Sequence, residues 1–256
     1  MRGTFFTLGW VAERHPALVR RIVAAGHELA SHGFWHVRAD TQSPEDFFED
    51  VLGARKLLED IGGVAVRGYR APTFSIGPRN PWAWDELSRA GYAYSSSVYP
   101  VRHDLYGAPD APRFPYRPRP ADGLWEIPMT TVRVAGRNLP CSGGGFFRLL
   151  PYSLFRRGLR RFEAQEAASG LFYIHPWEID PGQPVVRQAS RRSRFRHRIN
   201  LHATEGRLRR LLGDFRWDRV DRVFARLLDP ASPVAAPSVA APSVAVAPIP
   251  SLSIPV

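Results

Sequence analysis

Cysteine is nearly missing: Cys141 stands alone in 256 residues. One cysteine excludes an internal disulfide framework and a cysteine-based zinc site, so any metal must be met by His, Asp or Glu. Lysine is nearly missing too. Lys56 is the sole one, and the remaining positive charge is arginine, giving a formal net charge of +11 and a pI near 10.7. So uniform an exchange of one cation for the other reads as a codon-composition effect rather than a sign of function. Long apolar runs are absent: none reaches the length that spans a bilayer. The opening MRGTFFTLGW lacks the apolar core and cleavage site of a signal peptide, and taken alone the chain reads as cytoplasmic. Core material is plentiful, with 44% hydrophobic residues, and the length fits one large domain with an appendage or two small domains.

Strand and helix signals alternate. TFFTL (Thr4 to Leu8) is β-branched and aromatic, as in a buried strand. HPALVRRIVAAGH reads as a helix opened by Pro16 and stopped by Gly26, and HELAS as a short strand. Ser43-Pro44-Glu45-Asp46 combines a cap, a proline and an acidic first turn, and starts a helix that ends near Gly62-Gly63. VAVRGYRAP is the next strand, NPWAWDELSRAG a helix and YAYSSSVYP a strand. Residues 100–120 form a long proline- and arginine-rich loop. GLWEIPMTTVRVAG supplies one or two strands, Pro151 to Ala168 a helix and GLFYIHPWE a last strand. The order implies βα units around a mainly parallel sheet or barrel. One or two short helices are expected over 203–228, and a disordered Pro/Ala/Ser/Val tail over 229–256.

Three short segments carry chemistry. His32 and His36 in ELASHGFWHV are spaced to offer two imidazoles to one metal, as on a single helical turn, and they follow a strand, where βα folds place their sites. Alone, such a pair is weak evidence. Arg70 in RGYRAPTFS ends a strand, and its rigid fork of donors suits a carboxylate; a salt-bridged strand end is the plainer reading. His175 in LFYIHPWE sits at the mouth of an apolar strand, either as a general acid or base or as a satisfied core histidine. Arg187 to Arg210 is dense in arginine. It reads as a solvated basic face before it reads as a binding surface, and without clear aromatic interleaving no nucleic-acid partner is expected.

Taken together and in order, SHGFWH, RAPTF and LFYIHPWEIDP resemble the polysaccharide deacetylases with NodB-type homology (carbohydrate esterase family 4). The likeness runs from about Gly3 to Pro181. SSVYPVRHDLYGAPDAPRFPYRP, SGGGFFRLLPY and HPWEIDP are similar to the branch associated with exosortase and exopolysaccharide clusters. The resemblance implies an α/β fold: a distorted, incomplete (β/α) barrel lacking its first strand, over residues 1–184, with a basic C-terminal extension over 185–228. It implies hydrolysis of N-acetyl groups on a polysaccharide, with zinc or another divalent ion on His32 and His36. Arg70 would hold an aspartate base, the Thr73 amide would stabilise the oxyanion, and His175 would protonate the leaving amine. Phe74, Tyr99 and Trp177 would form the acetyl pocket and sugar platform. The implied partners are an N-acetylated polysaccharide and exopolysaccharide-assembly proteins, with association at the envelope.

Two departures from the family pattern set further expectations. Its Asp-bearing first segment, source of the base and the third ligand, lies upstream of GTFFT, where this chain begins. Ser95 stands where an aspartate is expected to orient the catalytic histidine. The chain as written is therefore expected to be marginally stable and to show little deacetylase activity. The alternative is a non-catalytic, deacetylase-like protein that binds carbohydrate or a partner.

Overall fold

A computed structural model describes residues 1–120, 123–166 and 168–228. The expected tail over 229–256 lies outside the described residues. The elements in chain order are β1 (Thr4–Thr7), α1 (Gly9–Arg14), α2 (Pro16–Ala24), β2 (Glu28–Ser31), α3 (Pro44–Gly62), β3 (Gly68–Tyr69), α4 (Trp82–Arg89), β4 (Tyr94–Ser95), β5 (Trp125–Glu126), β6 (Thr131–Val134), β7 (Arg137–Pro140), α5 (Gly144–Leu149), α6 (Tyr152–Glu166), α7 (Arg191–Arg198), α8 (Leu201–Asp214), α9 (Val220–Val223) and α10 (Ala225–Leu228). Strands β1 to β5 form one parallel sheet in sequential order. The fold is α/β, and the described strands form an open sheet rather than a closed ring. None of the described helices is long and apolar enough to cross a membrane.

The helices follow local rules. Ser43 accepts the Asp46 amide, Pro44 opens α3, and left-handed Gly63 closes it. The buried face of α3 (Phe47, Val51, Ala54, Leu58) packs under the sheet with Leu29, Tyr69 and Leu87. A second cluster gathers Tyr94, Ile127 and Met129 with Val220, Phe224 and Leu228 from the far end of the chain, and a third joins α5, α6 and α8 through Phe147, Phe155 and Leu211. The C-terminal segment also bonds to the first strands: Val220 donates its amide to Thr4 Oγ1 (2.8 Å) and Asp221 donates to Glu28 Oε2 (3.1 Å). Strand β1 lies at the sheet edge, with Phe5 exposed.

Three strands are shorter than their sequences suggest. Strand β3 is only Gly68–Tyr69: beyond the Arg70 amide, that of Ala71 turns to Ser97 Oγ (2.9 Å) and Pro72 has none to give. Strand β4 stops at Ser95, because the next amides turn to a side chain: Ser97 and Val98 donate to Glu126 Oε1 at 2.7 and 3.0 Å. GLFYIHPWE forms no strand; Tyr173 makes a single parallel bridge to Gly143, whose chain then leaves as α5. The β6–β7 hairpin turns on left-handed Ala135 and Gly136. Helices α1, α5 and α7 lack a counterpart in the sequence reading, being short and weakly patterned.

Candidate active site

His32 and His36 do not share a helical turn. They lie in the loop after β2, before the turn at Ala39–Thr41. That loop is pinned by Asp50 of α3, which accepts the Phe34 and Trp35 amides at 2.9 and 3.2 Å. Gly33 is left-handed at φ 79°, and an added Cβ would meet the same carboxylate at 2.7 Å. His36 is left-handed too, at φ 61°. The result places the two imidazole centroids 5.0 Å apart, edge to face.

His32 Nδ1 lies 2.6 Å from the Arg70 carbonyl. A carbonyl only accepts, so Nδ1 carries the proton and donates, which leaves Nε2 with its lone pair free. Burial, the largest influence, brings the His32 pKa down to about 3, with the charges of His36, Arg70 and His175 adding to it. Burial and then the charge of His175 lower His36 as well. His175 acts electrostatically on both, and its neighbour Tyr173, with ring centroids 5.8 Å apart, lies 5.7 Å from the guanidinium of Arg70, whose carbonyl holds His32, so the three histidines share one region.

Arg70 is buried. It donates to the Ser96 carbonyl (2.9 Å) and hydroxyl (2.7 Å), and its guanidinium lies 4.1 Å from the Phe6 ring centroid. Burial lowers its pKa to about 10. Among the described residues no carboxylate comes within ion-pair distance of it. Just beyond, Thr73 and Phe74 are both left-handed, at φ 56° and 49°. Three of the five left-handed non-glycine residues (His36, Thr73 and Phe74) thus belong to this site. Each costs about 1 kcal/mol or more, a strain that concentrates at functional sites. Successive amides in such a turn form an anion-binding concavity.

The sequence reading passes over the partner of His175. That ring is half exposed; its Nδ1 lies 3.2 Å from Glu178 Oε2, which also accepts the His175 amide at 2.8 Å. The other oxygen takes Arg148 Nε at 3.0 Å, with both side chains 2% exposed. Burial would push the Glu178 carboxyl up, but the hydrogen bonds and charge of His175, together with Arg148, hold it below the ordinary range. Gly144 is glycine because a Cβ there would meet that carboxylate at 2.2 Å. The signal was present in HPWE, a carboxylate three residues after the histidine, and in nothing else local.

Ser95 is fully buried, and its hydroxyl shares a hydrogen bond with Ser97 Oγ at 2.8 Å. Tyr99, expected on the sugar platform, is 1% exposed beneath Tyr106 and accepts from Ser142 Oγ at 2.9 Å. Trp177 is engaged by two imidazoles, His197 at 4.2 Å and His175 at 5.7 Å. Phe74 does line a cleft of about 200 Å³, with Arg79, His103 and Tyr106.

The donor set can be tested against a metal. Two imidazoles, one with its lone pair directed by a backbone bond, suit zinc or a similar ion. Among the described residues no third His, Cys, Asp or Glu joins them in a metal-holding group. The residues present therefore fit two ligands of such a site.

Residues 1–95 match the family model of polysaccharide deacetylase, and residues 96–225 match a domain of unknown function (DUF3473). A chitooligosaccharide deacetylase of Bradyrhizobium is 32% identical over 97 residues, covering 38% of this chain and 42% of that protein. A peptidoglycan-N-acetylglucosamine deacetylase of Bacillus cereus is 36% identical over 56 residues, covering 22% of this chain and 26% of that protein. The chain thus spans less than half the length of these relatives. Among solved structures, Puue allantoinase aligns with a TM-score of 0.54 at 19% identity, over 89% of this chain and 67% of that one, a likeness of fold. Over residues 96–225 the chain belongs to the family of the domain of unknown function DUF3473, and over residues 1–95 it carries a NodB-type polysaccharide deacetylase (carbohydrate esterase family 4) domain.

Proposed function

We propose that this protein is a metal-dependent deacetylase of an N-acetylated polysaccharide, working in exopolysaccharide assembly. The observation that supports it most is the convergence of the His32–His36 pair with His175 beside a strained turn. His32 Nε2 and His36 would hold the ion. When bound, a zinc-like ion supplies Lewis acidity toward the acetamido carbonyl and water. The Thr73 amide would donate to the oxygen that gains charge. His175 would carry the proton to the departing amine. Its Nδ1 is tied to Glu178, so Nε2 is the atom that faces substrate. Glu178 thereby takes the orienting part that the family pattern gives to an aspartate at the Ser95 position, with Arg148 holding it. Residues 1–184 would carry this chemistry, and 185–228 would be its basic extension.

A second reading is favoured by one observation. Arg70 has no carboxylate partner among the described residues, so it is present as a holder without the base it would hold. In that reading the protein binds an acetylated glycan or a partner without turnover. Both readings are tested by acetate release from N-acetylchitohexaose with zinc or with chelator. The deacetylase reading expects zinc-dependent acetate that His32→Ala and His175→Ala each remove. Oligosaccharide binding with no acetate at any zinc level overturns it in favour of the second.

A further inference from the structure

The surface beside His175 is segregated in charge. Between Asp180 and Glu205 the chain carries six arginines (Arg187, Arg191, Arg192, Arg194, Arg196, Arg198) and no carboxylate. A codon effect explains why the cation is arginine. It does not explain why acids are missing here from a chain that has 24 of them elsewhere. Five of these arginines lie on α7, a helix with no buried residue, capped by Ser190. Its shape is therefore not maintained by a core of its own.

What fixes α7 is the site. His197 stacks on Trp177 at 4.2 Å and 17°, and Trp177 stacks with His175 at 5.7 Å and 18°. Arg148, the residue that holds Glu178, also donates to the carbonyls of His197 (3.2 Å) and Ile199 (3.0 Å). On its other side α7 reaches the cleft: Arg192 and Arg196 share the single carboxylate of Asp104, at 3.2 and 3.0 Å. Asp104 and His103 line that cleft, and so does Arg79. Among the described residues Arg191, Arg194 and Arg198 have no ion-pair partner, so the rim keeps a surplus of positive charge. Phe195 stands among them 60% exposed, a flat ring of the kind that receives the apolar face of a sugar.

We infer that the glycan held at this site is anionic: an acetamido sugar at His175 flanked by carboxylate-bearing, uronic acid-type residues along α7. The inference rests on the reading of the site as a polysaccharide site and names its substrate class. A neutral chitin-like chain offers these guanidinium groups only uncharged acceptors. A uronate gains a charge-assisted, bidentate hydrogen bond from each one it meets. The tie through Trp177 favours a glycan over nucleic acid or lipid, because it places the charge on the same surface as the acetamide chemistry rather than on a remote face.

The test is binding of the full chain, measured by calorimetry, to hexagalacturonate and to neutral N-acetylchitohexaose. The charge-removed variant Arg191→Gln/Arg194→Gln/Arg198→Gln is set against a control with the same net charge, Arg20→Gln/Arg21→Gln/Arg161→Gln. We expect hexagalacturonate to bind more tightly than the neutral oligomer, with affinity falling about tenfold or more in the α7 variant, as loss of three exposed charge contacts implies, and little changed in the control. Equal loss in both variants overturns the inference, since it would mark a non-specific attraction of the +11 chain. So does α7-dependent binding to phosphatidylglycerol vesicles or a single-stranded oligonucleotide that exceeds binding to hexagalacturonate, and so does preference for the neutral oligomer. Binding needs no turnover. A protein that releases acetate yet shows no uronate preference refutes this inference alone, and one that binds uronate without acetate release refutes only the deacetylase reading.

Discussion

His32 and His175 are held in unlike ways. His32 donates to a backbone carbonyl in a loop that a single aspartate pins to α3. His175 leans on a buried carboxylate, which in turn leans on a buried arginine from α5. Any residue at position 70 would supply the carbonyl that orients His32, so this half of the site tolerates change behind the ligand. The His175 half does not. It depends on two side chains that must be present together, because a buried charge without its partner is strongly unfavourable.

The largest predicted effect breaks that second half. Glu178→Ala strands Arg148 in the interior and should lower unfolding free energy by about 3–5 kcal/mol, as read by urea denaturation. The double variant Arg148→Met/Glu178→Leu removes both charges and should recover most of the loss. If it does not, the pair contributes more than mutual neutralisation and the contrast with His32 is too simple.

Acid tests the first half. The folded-state pKa of His32, about 3, lies below its ordinary 6.5 because burial disfavours the cation. Between those values the unfolded chain binds more protons than the folded one, so stability rises with pH across the window and is lost as pH falls through it. From pH 7 to pH 3 the His32 contribution is on the order of 4 kcal/mol. The difference in unfolding free energy between wild type and His32→Gln should shrink by that amount over the same range. A constant difference would mean that His32 is open to water.

A third change separates the family pattern from this protein's solution. Restoring the expected aspartate with Ser95→Asp should not improve orientation of His175. Position 95 is fully enclosed, and Glu126, whose own carboxyl burial pushes up despite the Ser95, Trp84, Ser97 and Val98 hydrogen bonds, already occupies the space beside it. A second carboxylate there lacks solvent and meets like charge, and should reduce stability by about 2 kcal/mol. A variant as stable as wild type would argue that the Glu178 arrangement and an aspartate can coexist.

The same contrast decides what the sequence could reveal. The order of His-x-x-x-His, Arg-x-Pro and the apolar-His segment pointed, through the family resemblance, to the fold class. Strand β1 was visible because its β-branched and aromatic residues mark it, and β2 because a short segment follows the helix stop at Gly26. The two-residue strands were overestimated because side-chain acceptors such as Glu126 replace the ladder, an outcome decided between residues about thirty positions apart. Glu178 was three residues from His175 yet went unread, since its burial depends on Arg148 and on the missing Cβ of Gly144. Tyr99 looked like a platform in one dimension; only packing under Tyr106 removes it from the surface.

The smallest predicted effect applies one substitution to both regions. Ser43 caps α3 and Ser190 caps α7, each accepting an amide three residues on, at the same 3.1 Å. Removing such a cap costs a helix about 1 kcal/mol. Helix α3 buries four residues in the main core, so its helicity is coupled to global unfolding and Ser43→Ala should lower global stability by about that amount. Helix α7 buries none and is joined to the rest through His197 and its arginines. Ser190→Ala should leave the global transition in place and appear instead as faster hydrogen exchange confined to residues 191–198. A matching global loss from Ser190→Ala would show that α7 is part of the cooperative core, and that its arginines are placed by packing rather than by the ring stack at the site.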